Sequence, residues 1–125
     1  RQILGIIMAP YQSKASWDEY QQTVSQAIET LNGNRPTIHY LDVWYAHSGY
    51  IKAIAERVRL ACKEMAEDRF DNASLVFTAH AIPKAAANAS PYIHQFAETA
   101  TAVASLIGKD FDLAYQSQPQ GTPIP

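Results

Sequence analysis

Short apolar runs alternate with helical stripes along the 125-residue chain. The runs lack the polar alternation of a half-exposed strand, and such runs are typical of strands buried on both faces of a parallel sheet. The first run, ILGIIMA, is closed by Pro10. The pattern predicts four strands, at residues 3–9, 37–42, 74–79 and 111–116.

Between these runs, apolar residues recur every three or four positions, which indicates amphipathic helices. The predicted helices cover residues 16–31, 49–67 and 91–107. Their start and end signals are a capping box of Ser16 and Glu19, a cap at Ser48, Ser90 followed by Pro91, and Gly108 after the last turn.

The order of elements predicts the architecture. Parallel strands that are joined by helices have right-handed crossovers, so the helices cover both faces of the sheet. We therefore expect an α/β protein, a three-layer α/β/α sandwich with a four-stranded parallel sheet. A length of 125 residues fits one domain over 1–125.

Composition and charge exclude several classes of protein. The net charge of −2 leaves no broad basic face, so we expect no nucleic-acid partner. No apolar run approaches the roughly 18 residues that a membrane span needs. The single cysteine, Cys62, fits a reducing compartment, and we expect a cytoplasmic protein, with peripheral membrane attachment left open. Because the chain begins with Arg1 and ends on GTPIP, we expect a piece of a longer protein.

Candidate chemistry gathers where the predicted strands end. Ligands of open parallel sheets bind outside the carboxyl ends of the strands. His80 is predicted to follow the third strand directly, and Ser13, Trp44 and Gln116 should lie at the same edge. A half-buried histidine bonded to a nearby carbonyl is an equal alternative for His80, and His47 on a neighbouring loop is interpreted as an exposed residue. No cofactor motif is present, so no organic cofactor is expected.

Four segments resemble, in order, those of the ferrochelatases. The segment LVFTAHAIPKAAANASPY is similar to their signature of a strand, Ser or Thr, one residue, His, a small residue, an aliphatic residue and Pro, with a loop ending in Pro-Tyr. The segments IIMAPYQSKASWDEYQ, WYAHSGYIKAIAERV and AYQSQPQGTPIP resemble the others. The resemblance implies a chelatase-like fold, one of two similar domains in a longer protein. It also implies a lyase that inserts Fe2+ into protoporphyrin or coproporphyrin in haem biosynthesis.

The resemblance also implies roles for individual residues. His80 is the implied catalytic residue, as proton acceptor or as metal contact, with Fe2+ as substrate. The implied partners are the porphyrin and the remaining domain of the same protein or a second copy. The family's catalytic glutamate would lie beyond this chain, so the chain alone is expected to be inactive. The implied substrate-binding residues are Ser13, Trp44, Tyr45, Tyr92, Gln116 and Ser117, and core packing is an equal alternative for the three aromatic ones.

Several positions depart from the family pattern. Tyr11 stands where histidine is common, and Ala81 stands where serine or glycine is usual. Ala89 and Ser90 replace a Gly-Asp pair, and Gln118 replaces a basic residue. These departures favour an alternative function, a degenerate, non-catalytic chelatase-like domain that binds a tetrapyrrole or a partner domain. A small homodimeric chelatase is disfavoured because the motifs match the long two-domain family.

Overall fold

A computed structural model describes residues 1–65 and 67–117, apart from the side chains of residues 67–69. The strands are Gln2–Gly5 (β1), Thr37–Tyr40 (β2), Leu75–His80 (β3) and Phe111–Gln116 (β4). The helices are Glu19–Glu29 (α1), Ser48–Lys63 (α2), Glu67–Asn72 (α3), Lys84–Asn88 (α4) and Tyr92–Ile107 (α5), and a π-helical turn, Lys14–Asp18, precedes α1. The short helices α3 and α4 were not predicted. Within the described part of the chain, no helix has the length and hydrophobicity needed to cross a membrane.

The strands within each pair are parallel, as predicted, but they form two separate ladders. One ladder pairs β1 with β2, and the other pairs β3 with β4, where His80 lies opposite Gln116. Over residues 1–65 and 67–117, no hydrogen-bonded ladder joins the two pairs. The fold class is therefore mixed α/β with parallel strands, and a single four-stranded sheet is not formed by these residues.

The hydrogen bonds after β1 explain part of this difference. The strand was predicted over residues 3–9 but ends at Gly5. Beyond it, the carbonyl oxygen of Ile7 accepts a hydrogen bond from the indole Nε1 of Trp44 at 2.9 Å. The carbonyl oxygen of Ala9 accepts one from the indole Nε1 of Trp17, also at 2.9 Å. These two carbonyls bond to side chains, so the apolar run does not continue as a paired strand.

Helix α5 has more buried residues than any other element in the described part of the chain. Helix α5 packs against β3 and β4, and α2 packs against α5. The buried face of α5 includes Phe96, Ala100 and Val103. Strand side chains are also exposed, since Leu4 of β1 is 61% and Val76 of β3 is 49% exposed. The strands are thus not buried on both faces, and the described residues do not complete the predicted three-layer sandwich.

The helix ends differ from the predicted caps at three places. Helix α2 is capped by His47, whose Nδ1 accepts a hydrogen bond from the Gly49 N–H at 3.1 Å, and not by Ser48. Ser90 does not cap α5, which Pro91 precedes directly. The capping box at residues 16–19 is replaced by the π-helical turn. The predicted end of α5 at Gly108 is confirmed, because this glycine has a left-handed backbone, with φ of 78°.

Candidate functional site

His80 is the last residue of β3, and not the first residue after it as predicted. The ladder continues past it, since the Ala81 N–H donates to the Gln116 carbonyl oxygen at 2.8 Å. The Tyr92 hydroxyl donates to the His80 carbonyl oxygen at 3.1 Å. His80 itself is exposed, between buried Ala79 and buried Ala81. The alternative of a half-buried histidine is therefore wrong. The backbone of His80 is held by hydrogen bonds, while the residue is exposed to solvent.

The first half of α5 brings the ends of all four strands together. Its side chains contact a different segment at each of four positions. The contacts are Gln95 with Gln12 after β1, Thr99 with the Tyr45 carbonyl after β2, Tyr92 with the His80 carbonyl of β3, and Phe96 with the Tyr115 ring of β4. The carboxyl-end segments of both ladders therefore meet at one helix.

A chain of aromatic side chains connects these segments. The Trp44 and Tyr50 rings meet edge to face, with centroids 4.8 Å apart. Tyr50 hydrogen-bonds to Tyr11, whose ring lies edge to face against Tyr92 at 5.9 Å and Phe96 at 5.7 Å. Such edge-to-face pairs are each worth about 0.5–1.5 kcal/mol beyond the area they bury. We call these five residues the aromatic wall. Four of its rings are half-buried and Phe96 is buried, and Tyr92 links the wall to the His80 carbonyl.

Four phenols in or near the wall have raised pKa values. Burial raises the pKa of Tyr50 above its usual range, and the hydrogen bond to Tyr11 raises it further. Burial also raises the pKa of Tyr92 and the pKa of Tyr115. The Glu98 carboxylate accepts a hydrogen bond from Tyr45 and raises the pKa of that phenol. The phenols thus stay protonated, and the surface suits an apolar ligand.

These shifts predict a loss of stability in alkali. The folded-state pKa of Tyr50 exceeds its unfolded value of about 10. The folded state therefore holds this proton more tightly, and the stabilisation is complete below pH of about 10 and lost as pH rises through the folded pKa. Urea unfolding between pH 8 and 11 should show the free energy of unfolding falling above pH of about 10. Tyr50→Phe should flatten that fall, whereas Tyr20→Phe on exposed α1 should keep it; an equal slope in both would contradict the prediction.

The remaining predicted site residues have varied environments. Trp44 is half-buried and holds the Ile7 carbonyl. Ser13 is buried, and its hydroxyl contacts that of Ser16 at 2.9 Å, so it stabilises the π-helical turn. Gln116 is exposed opposite His80, and Ser117 turns the chain out of β4 with a left-handed φ of 60°.

The structure thus joins Tyr92 and Gln116 to His80 directly, and it links Trp44 and Tyr45 to His80 only through other residues. Their substrate-binding roles remain predictions, and Gln118 lies outside the described residues.

Sequence reasoning missed several residues of this region. Tyr50 and Phe96 belong to the aromatic wall, and Gln95 and Thr99 join the loops to α5. Gln95 and Thr99 are 4% and 2% exposed. The available signal was a pair of polar residues, four positions apart, beside the apolar stripe of α5. Buried polar side chains of this kind are held because they are hydrogen-bonded.

The described residues offer limited means of holding a metal ion. They contain no group of three or more His, Cys, Asp or Glu side chains placed to bind one. The His47 imidazole already caps α2 through its Nδ1. A groove of about 310 Å³ lies beside Trp44, lined mainly by apolar side chains that include Met8 and Leu41. The arrangement therefore offers an open imidazole next to apolar surface.

These features define a class: a parallel α/β protein that presents an exposed imidazole and an aromatic wall where its strands end. The chain belongs to the ferrochelatase family, whose model matches residues 1–123. It is 33% identical to a ferrochelatase of Deinococcus radiodurans, over 93% of this chain and 38% of that protein. It is 32% identical to a coproporphyrin III ferrochelatase of Geobacillus kaustophilus, over 100% of this chain and 39% of that protein. The chain thus spans less than two fifths of the length of these relatives.

Proposed function

We propose that the protein containing this chain is a ferrochelatase, which inserts Fe2+ into a porphyrin in haem biosynthesis. The observation that carries the proposal is the family match over residues 1–123. The exposed imidazole at the end of β3 supports it, because His80 occupies the histidine position of the family's signature. The similar proteins include a coproporphyrin III ferrochelatase, so coproporphyrin and protoporphyrin are both proposed substrates.

The chemistry of insertion suits such a residue. A porphyrin loses two pyrrole protons and gains one divalent cation. A neutral imidazole is both a base near pH 7 and a ligand for Fe2+. The backbone of His80 is held by the β4 ladder and by Tyr92, so its side chain starts from a rigid position. We assign His80 to one of these two steps, as proton acceptor or as metal contact.

The other residues of the region would bind the porphyrin. Trp44, Tyr45 and Tyr92 would contact the macrocycle with their rings. Gln116 and Ser117, at the end of β4, would contact its polar substituents, while Ser13 would act from the turn before α1. The proposed partners are the porphyrin and the remaining domain of the same protein or a second copy. No organic cofactor is proposed.

The same proposal includes the rest of the protein and its location in the cell. Residues 1–125 would form one α/β domain of a longer, two-domain protein. Contacts of α5 with segments of both ladders support treating them as one unit. Further chain or a partner would cover exposed strand side chains such as Val76 and complete the three-layer arrangement. The proposed location is the cytoplasm, with peripheral membrane attachment left open.

A metal-insertion assay tests the function. The full-length protein is mixed anaerobically with Fe2+ and either protoporphyrin IX or coproporphyrin III, and the loss of porphyrin fluorescence is followed. We expect catalysed insertion into at least one of them, at a rate that saturates with porphyrin. Equal rates with and without the protein, for both porphyrins, would contradict the proposal.

The non-catalytic alternative rests on Tyr11. Where the family commonly has an imidazole, this chain has a phenol that packs in the aromatic wall and bonds to Tyr50. This arrangement keeps apolar surface for a tetrapyrrole and removes a second basic group. Quenching of protein fluorescence by porphyrin, without metal insertion, would favour this alternative.

A further inference from the structure

Gln95 and Gln12 form a reciprocal pair of hydrogen bonds across 83 residues of sequence. The Gln12 backbone N–H donates to Gln95 Oε1 at 2.7 Å, and Gln95 Nε2 donates to Gln12 Oε1 at 3.1 Å. Gln95 is only 4% exposed, so its amide is withdrawn from water and its two bonds replace hydration. We call this pair the amide clamp.

The amide clamp lies between the two sides of the candidate site. Gln12 follows Tyr11 in the segment after β1, and Gln95 lies one turn along α5 from Tyr92. Tyr92 in turn holds the carbonyl of His80. The clamp thus spans two ladders that no strand pairing joins within residues 1–65 and 67–117. Together with the packing of the Tyr11 ring on Tyr92 and Phe96, it links the segment after β1 to the His80 side.

We propose that Gln95 is a positioning residue for metal insertion, which sets the register of the Tyr11–Ser13 segment against the His80 side of the site. The inference rests on the proposed function and names a residue through which that site is held together. Gln95 acts through Gln12 and touches no reacting atom. A displacement of about 1 Å in bound geometry lowers a catalysed rate by about 10²-fold, so losing such a residue affects turnover more than affinity.

The principal test replaces Gln95 in the full-length protein. Gln95→Leu keeps the approximate volume and removes both hydrogen bonds. We expect kcat for Fe2+ insertion to fall roughly 10–100-fold, with the porphyrin KM changed by less than about 3-fold. Gln95→Glu keeps an acceptor for the Gln12 N–H, and the Gln12 amide can turn to donate to it, so we expect recovery of most of the lost kcat.

A stability control separates positioning from loss of fold. Val103 lies on the same helix and is fully buried. Val103→Ala and Gln95→Leu should both lower Tm, but Val103→Ala should leave kcat within about 2-fold of the parent, because Val103 lies beyond the α5 residues that contact the site segments. A loss of kcat in Gln95→Leu no larger than in Val103→Ala would overturn the proposal. If Gln95→Leu does not fold, the test uses Gln12→Ala, which removes only the hydrogen bond between the two side chains. We expect this variant to lose about 3–10-fold in kcat. An unchanged kcat would overturn the proposal.

Hydrogen exchange measures the clamp without reference to activity. In the parent, the hydrogen-bonded amides of Gln12, Ser16 and Trp17 should exchange slowly, and Gln95→Leu should speed them at least about 10-fold while Val103→Ala does not. Unchanged exchange in Gln95→Leu would overturn the clamp itself. A parent protein that inserts no metal but shows this exchange pattern would refute the proposed function and leave the clamp standing.

Discussion

His80→Ala in the full-length protein should lower the rate of Fe2+ insertion by about 10²–10⁴-fold, the range typical of a lost general base. Porphyrin affinity should change little. The aromatic wall would remain, since its rings are held by one another and by α5. The fold should also survive, because His80 is exposed and its bonds within the ladder are made by the backbone. Anaerobic fluorescence of the porphyrin measures insertion, and quenching of protein fluorescence measures binding.

His94→Ala is the matched control for this substitution. His94 lies on α5 with its side chain 77% exposed, and it faces Glu98 at 3.2 Å. Removing this imidazole should leave insertion within about 2-fold, since an exposed pair of this kind is worth about 0–1 kcal/mol. A His80→Ala protein as active as the parent would exclude His80 from the mechanism. Loss of porphyrin binding in that variant would instead indicate a role in holding the substrate.

The second large effect concerns the 125-residue chain by itself. This chain should not insert Fe2+ at an enzymatic rate, even when folded, whereas the full-length protein should. Holding the reactants in the productive geometry can supply roughly 7–11 kcal/mol of a barrier. The chain corresponds to 38% and 39% of two relatives, and the described residues contain no group of three or more metal-ligating side chains placed to support His80.

Both proteins would be compared at equal concentration and with the same porphyrins. Circular dichroism of the chain should first show helix and strand, because an unfolded sample would be inactive for a trivial reason. Porphyrin binding by the chain should be weaker than that by the full-length protein, since the aromatic wall is only one side of the proposed site. Turnover by the folded chain within tenfold of the full-length rate would show that residues 1–125 contain the whole catalytic apparatus.

Periodicity was a sound guide to the type and order of the main elements. The predicted α2 and α5 agree with the helices observed to within a few residues, and β4 agrees fully. These segments have long apolar stripes or runs that only one kind of element can bury. The shortest elements, α3 and α4, are too short for a stripe to form. These two helices form because of their tertiary packing, which sequence periodicity does not predict.

The pairing of strands was decided by tertiary structure. Apolar runs show that strands exist, but they do not show which strand lies beside which. After β1, the carbonyls of Ile7 and Ala9 bond to the indoles of Trp44 and Trp17, so the apolar run ILGIIMA pairs over only part of its length. Such side-chain bonds depend on residues up to 37 positions away. The apolar runs therefore could not determine whether the four strands form one sheet, and the described residues form two ladders.

The candidate site also has features that the sequence predicted and features that only the tertiary structure shows. The sequence by itself placed His80 at the end of an apolar run and Tyr92 at the start of a helix, because strand ends and helix starts leave local signals. Only the tertiary structure revealed that Tyr92 holds the His80 carbonyl and that Gln95 reaches Gln12 across 83 residues. A hydrogen bond between distant segments requires a specific distance and direction. Residue types and spacing along the chain determine neither, whereas the packing of α5 determines both.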